Sequence, residues 1–128
     1  KGILDGVPLS FPALNQSQEY QDRAARVGFD WPEIDRVLDK LMEEIEEIRQ
    51  ARNTEELASE IGDLFFVLVN FARWQGVDAE SALREANIRF KYRFSYIEKH
   101  ARKEGHPMTE MTLDEMEALW QEAKELKS

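Results

Sequence analysis

The chain has 128 residues, 42% hydrophobic and 34% charged, with 26 acids against 17 bases and a net charge of -9. That apolar content in one domain's length of chain is expected to bury a core, which excludes disorder outside the termini, and the acidic excess excludes duplex nucleic acid or an anionic membrane as partner. Cysteine is absent, which rules out disulfides and thiolate metal sites and points to the cytoplasm.

The longest apolar run, residues 64–69, is far short of the roughly 18 residues of a membrane span, and no signal-peptide pattern opens the chain. Residues 1–14, with Gly2, Gly6, Pro8 and Pro12 among scattered apolar side chains, read as a linker or an arm that packs along a neighbour. A start at Lys1 rather than methionine is expected of a domain excised from a longer protein, and residues 15–128 are expected to form that domain. Pro12 and Gly28 bracket a first amphipathic helix. Asp30 as cap and Pro32 in the first turn open a second, running to about Arg52. Thr54, followed by Glu55 and Glu56, starts a third that Gly76 stops. Asp78 begins the fourth and longest, with Lys and Arg crowding the turns before Gly105, as the helix dipole favours. TLDE at 112–115 is a capping box ahead of a fifth. No strand pattern competes and the loops are short, so the expected fold class is an all-α bundle of about five helices.

At about 100° per residue, Ile34, Val37, Leu38, Leu41, Ile45 and Ile48 of the second helix form one apolar stripe. Glu44 and Glu47 border it with Lys40 between them, whereas Glu43 and Glu46 point to solvent. The third helix is apolar almost all the way round from Leu64 to Ala72, so several helices or a second subunit are expected to cover it. Glu60 falls inside its stripe of Leu57, Ile61, Leu64, Leu68 and Phe71, and Asp63 on the edge; neither is expected to have an easy route to water. Buried carboxylates need a proton, a basic partner or a cation. If the second and third helices form an antiparallel hairpin over QARNT, residues 50–54, then Glu44 and Glu47 face Glu60 and Asp63 across one gap. Oxygen-only donors favour Mg2+ or Mn2+ over zinc. Ion pairs of Glu60 and Asp63 with Arg or Lys at a helix or subunit interface fit the same pattern, and the residues alone leave both readings open. A di-iron bundle fits less well, because it wants Glu-x-x-His motifs and the histidines, His100 and His106, lie elsewhere in the sequence. On the fourth helix Arg89 and Arg93 share a face suited to neutralising a polyphosphate beside a bound cation, against the plainer reading of a solvated basic face. Asn70 and Asn87 suit reading a base or sugar but are more often structural hydrogen bonders, and Trp31, Trp74 and Trp120 read as core or interface more readily than as base platforms.

The segments RVGFDW, EEIEE, EIGDLFFVLVNFAR and ANIRFKYRF together resemble the MazG family of nucleoside triphosphate pyrophosphohydrolases over nearly the whole chain. The family's Glu-x-x-Glu motif, followed on the next helix by Glu-x-x-Asp, is matched by Glu44, Glu47, Glu60 and Asp63. LDGVPLSFPAL is similar to the connection preceding the second copy in two-copy members, which implies a C-terminal domain. The resemblance implies an all-α homodimer that hydrolyses nucleoside triphosphates between the α and β phosphates to a monophosphate and pyrophosphate, in nucleotide-pool housecleaning, with Mg2+ held by the four acids. It also implies that Lys40, Arg89 and Arg93 meet phosphates and that Trp120, in EALW, contacts the base. Arg89 stands where lysine is common in the family, which keeps the charge and changes the geometry. Related all-α enzymes act on dUTP or phosphoribosyl-ATP, so the motif implies the reaction better than the base. In the expected mechanism the cation acidifies an attacking water, Arg89 and Arg93 offset charge on the departing pyrophosphate, and Glu44 or Glu47, taken as the less buried pair, is the general base. The rival reading is a catalytically silent helical dimerisation or regulatory module whose acids form structural ion pairs.

Overall fold

Local sequence chemistry sets the helix ends in a computed structural model that describes residues 2–127. All regular structure among these residues is helical: α1 (Ala13–Arg26), α2 (Ile34–Arg49), α3 (Thr54–Trp74), α4 (Ala79–Lys103), a short 3-10 turn at Met108–Glu110, and α5 (Leu113–Leu126). The all-α class and the five helices match expectation. Asn53 caps α3 by accepting from the Glu56 N–H at 2.9 Å, and Thr112 and Glu115 make the reciprocal capping box of α5. Gly28 and Gly76 end α1 and α3 with φ of 94° and 71°, which lets the next N–H turn back to Ala24 and Ala72 respectively.

The start of α2 departs from expectation. Its N-cap is Glu33, which makes no side-chain cap bond. Asp30 instead accepts from Arg73 Nη2 at 2.5 Å and from Trp74 Nε1 at 3.3 Å. A guanidinium is the stronger partner for a carboxylate than a neutral backbone amide, so the side chain is drawn to α3.

The described chain divides into two compact units, one through Ala82 and one from Leu83. In the first, α3 packs against both α2 and α1. Residues 50–53 are the whole connection between α2 and α3, which makes these two an antiparallel hairpin. Gln18 ties α1 to the end of α3, donating to the Val77 carbonyl at 3.0 Å and accepting from the Ala79 N–H at 2.8 Å. The arm ahead of α1 lies on its own chain: Arg23 donates to the Asp5 carbonyl at 2.7 Å, Gln16 to the Phe11 carbonyl at 2.7 Å, and Val7 is buried.

Burial selects part of each apolar stripe. On α2 the inward row is Val37, Leu41, Glu44 and Ile48, at the i, i+4, i+7, i+11 spacing of one helix face, with Val37 sealed from solvent. Leu38 and Ile45, although in the same stripe, are 40% and 46% exposed. On α3 the inward row is Glu60, Leu64, Val67 and Phe71, whereas Phe65, Phe66 and Leu68 are about half exposed. Within the first unit α2 and α1 are the helices that pack on α3, while Phe65, Phe66 and Leu68 keep about half their surface open.

In the second unit, Ile97 and Ala101 of α4 and Leu119 and Ala123 of α5 are the buried apolar residues. Phe90 stacks on Phe94 with centroids 5.9 Å apart and meets Trp120 at 5.6 Å. No helix among the described residues is long and apolar enough to cross a membrane.

Candidate metal centre

Because the rows that face each other across the α2–α3 hairpin carry Glu44 and Glu60, packing the hairpin brings acids together. One carboxylate oxygen from each of Glu44, Glu47 and Glu60 lies within 4.8 Å of the other two. Glu44 is 3% exposed, and Glu47 and Glu60 are half-buried. Lys40 Nζ stands 3.1 Å from Glu44 Oε1 and 3.2 Å from Glu43 Oε1, and these two acids hold its pKa above the ordinary lysine value. Two further oxygens, Glu44 Oε2 and Glu60 Oε2, are buried without a hydrogen-bond partner among the described residues. The Glu60 carboxyl is pushed up to about 7, first by its hydrogen bond to Glu47, then by desolvation and by Glu44. Clustered carboxylates hold a proton when no cation neutralises them.

This donor set fits a hard divalent cation. The ligating atoms are all oxygens, two are orphaned and buried, and the negative charge exceeds what one lysine offsets.

Asp63, one turn beyond Glu60, is exposed and lies outside this three-carboxylate cluster, so the expectation that it has no route to water is overturned. The premise for choosing the general base also fails: Glu44 is the most buried of the three acids, since it occupies a core row and not merely its border. Glu43 and Glu46 are exposed, as expected. In the second unit Arg89 is exposed, while Arg93 is half-buried with its guanidinium carbon 5.3 Å from the centroid of the Trp120 ring. Asn70 is buried and accepts from Arg73 Nη2 and Nε at 2.7 and 3.0 Å, the structural role anticipated for it.

The Asp30–Arg73–Asn70 network was not foreseen. It lines a cavity of about 560 Å3 in the first unit together with Tyr20, Phe29 and Trp31. Burial pushes the Asp30 carboxyl up, but hydrogen bonds from Arg73 and the Trp31 N–H outweigh it and leave the group below its ordinary value. The available signal was the unusual density of polar and aromatic residues in RVGFDW, which a helix-cap reading of Asp30 absorbed. His100 and His106 line a separate cavity of about 550 Å3 in the second unit.

Comparison with known proteins adds the following. A family profile described as phosphoribosyl-ATP pyrophosphohydrolase (PRA-PH) matches residues 12–90. A nucleoside triphosphate pyrophosphohydrolase from Escherichia coli K12 is 44% identical over 126 residues, covering 94% of this chain and 48% of that protein. A Thermotoga maritima protein, nucleoside triphosphate pyrophosphohydrolase/pyrophosphatase MazG, is 39% identical over 113 residues, covering 88% of this chain and 44% of its own length. The Bacillus subtilis protein YabN, uncharacterized, is 45% identical over 76 residues, 59% of this chain and 16% of YabN. The chain spans about half the length of the first two relatives.

Proposed function

The chain belongs to the MazG-like, phosphoribosyl-ATP pyrophosphohydrolase family, and from that premise we propose that it is a metal-dependent nucleoside triphosphate pyrophosphohydrolase. The reaction is cleavage between the α and β phosphates to a nucleoside monophosphate and pyrophosphate, in cytoplasmic nucleotide-pool housecleaning. The observation that carries this reading is the convergence of Glu44, Glu47 and Glu60 with two buried oxygens lacking donors.

Mg2+, with Mn2+ as substitute, is the proposed ion, and Asp63 is its fourth carboxylate. A cation there supplies charge for the phosphate oxygens and lowers the pKa of a water. The chain's own groups do the rest. Glu60, whose carboxyl its acidic neighbours push up to about 7, would be one of the ligands. Glu47, more open than Glu44, is the general base. Lys40 fixes the Glu44 carboxylate by their ion pair and completes a positive edge towards the phosphates. Arg89 and Arg93, one turn apart on α4, neutralise the departing pyrophosphate, with Trp120 beside Arg93. The exposed rows of α2 and α3, including Leu38, Ile45, Phe65 and Leu68, are the proposed homodimer face.

The Lys40–Glu44 pair favours a second reading, in which the acids are structural and the domain is a silent dimerisation or regulatory module. Against it, that lysine answers one oxygen of one cluster member, and the other acids have no basic partner among the described residues. One experiment separates the two: product analysis across the standard and deaminated nucleoside triphosphates with Mg2+, beside Glu60→Gln. Metal-dependent pyrophosphate release that Glu60→Gln abolishes is expected. No release from any of them refutes the enzyme reading.

A further inference from the structure

Arginines that leave solvent in this chain are otherwise matched to oxygen. Arg73 sits between Asp30 and Asn70, and Arg23 holds the carbonyls of Ile3 and Asp5 and stands 3.9 Å from Glu19. Arg93 is the exception. It is half-buried, its Nε is sealed from solvent without an acceptor, and none of its nitrogens meets an oxygen among the described residues. What holds it is the face of Trp120, 5.3 Å away, and that indole is backed by Phe90, itself stacked on Phe94. Glu122, two residues beyond Trp120, takes its hydrogen bond from the Tyr96 hydroxyl instead.

An aromatic face attracts a guanidinium through its quadrupole and neutralises none of its charge, whereas a carboxylate fixes the same group and cancels it. In a chain of net charge -9, holding an arginine without an acid is what keeps it able to meet an anion. Resting on the pyrophosphohydrolase reading, we propose that Trp120 is a positioning residue for Arg93: it orients the guanidinium, with charge intact, towards a polyphosphate, and Phe90 keeps the indole in place. Trp120 thereby acts on every nucleotide alike, in contrast to a residue that reads the base.

The test pairs calorimetry of inorganic tripolyphosphate binding, with Mg2+ present, with steady-state kinetics on ATP, GTP, CTP and UTP, folding being checked by circular dichroism. Trp120→Leu is expected to weaken tripolyphosphate binding and to lower kcat/KM by about 2- to 30-fold, equally for all four nucleotides. Trp120→Phe, which keeps a ring face, is expected to restore most of the loss. In an Arg93→Ala background, Trp120→Leu is expected to change neither quantity further. A loss that depends on the base while tripolyphosphate binding is unchanged overturns the proposal, as does full additivity in the double variant. If the wild-type chain releases no pyrophosphate, the enzyme reading falls, and the tripolyphosphate arm still decides the positioning role: binding that ignores Trp120→Leu refutes it.

Discussion

Uptake of Mg2+ by the Glu44–Glu47–Glu60 cluster should release protons in amounts set by pH. With the Glu60 carboxyl pushed up to about 7 by Glu47, burial and Glu44, the cluster should hold most of a proton at pH 6 and little of one at pH 8 in the absence of a cation. A cation should displace that proton, so calorimetry in buffers of different ionisation enthalpy should read most of a proton released per ion at pH 6 and a small fraction of one at pH 8. The sign for stability follows from the same shift. The folded value lies above the ordinary 4.5, so between 4.5 and about 7 the folded chain binds more protons than the unfolded one. Stability of the metal-free protein therefore falls as pH rises through that window and levels off above it. Mg2+ at about a hundredfold over its Kd should add about 2.7 kcal/mol, with the affinity itself greater at pH 8 than at pH 6. Glu60→Gln should abolish the proton release and flatten the pH dependence. Proton release that is absent at pH 6, or undiminished in Glu60→Gln, would refute the reasoning.

Arg93→Ala should cost on the order of 2 to 4 kcal/mol in kcat/KM, chiefly through kcat if the charge it meets develops on pyrophosphate, whereas Glu43→Gln on the solvent side of α2 should leave turnover nearly unchanged; steady-state kinetics checks both. The chain is expected to sediment as a dimer at micromolar concentration, and Phe65→Lys, placed in the half-exposed apolar row of α3, to sediment as a monomer while far-ultraviolet circular dichroism stays helical. Thr112→Ala removes the side-chain half of the α5 capping box and should lower stability by about 1 kcal/mol in denaturant unfolding.

The helices were legible because their signals are local. Asn53 and Thr112 satisfy amides three residues away, and Gly28 and Gly76 take a backbone conformation that few other residues adopt, so a window of a few residues contains the cause. What reaches across the chain was not legible. Asp30 has a cap's spacing to α2, yet its partner is Arg73, 43 positions on, and nothing in the local pattern announces a guanidinium arriving from another helix. The arm reads as loose by composition, but Arg23 and Gln16 of α1 pin its carbonyls.

The site shows the same division at finer scale. A hydrophobic wheel gives the width of an apolar stripe and not the part of it that neighbours cover. On α2 the stripe from Ile34 to Ile48 is wider than the contact with α3, so Leu38 and Ile45 stay open while Glu44, assigned to the border, lands in the same row as fully buried Val37. On α3 the wheel placed Glu60 among apolar residues, and there it is, half-buried, whereas Asp63 at the edge of the stripe came out exposed. The displacement sharpens the chemical argument. An acid at a core position beside two others works against folding unless something offsets its charge, and Lys40 reaches only one of the oxygens involved. Its acidic neighbours and burial accordingly push the Glu60 carboxyl up to about 7. Cation uptake at such a cluster would be coupled to loss of a proton near neutral pH, so the affinity for a divalent ion is expected to rise with pH before any nucleotide arrives.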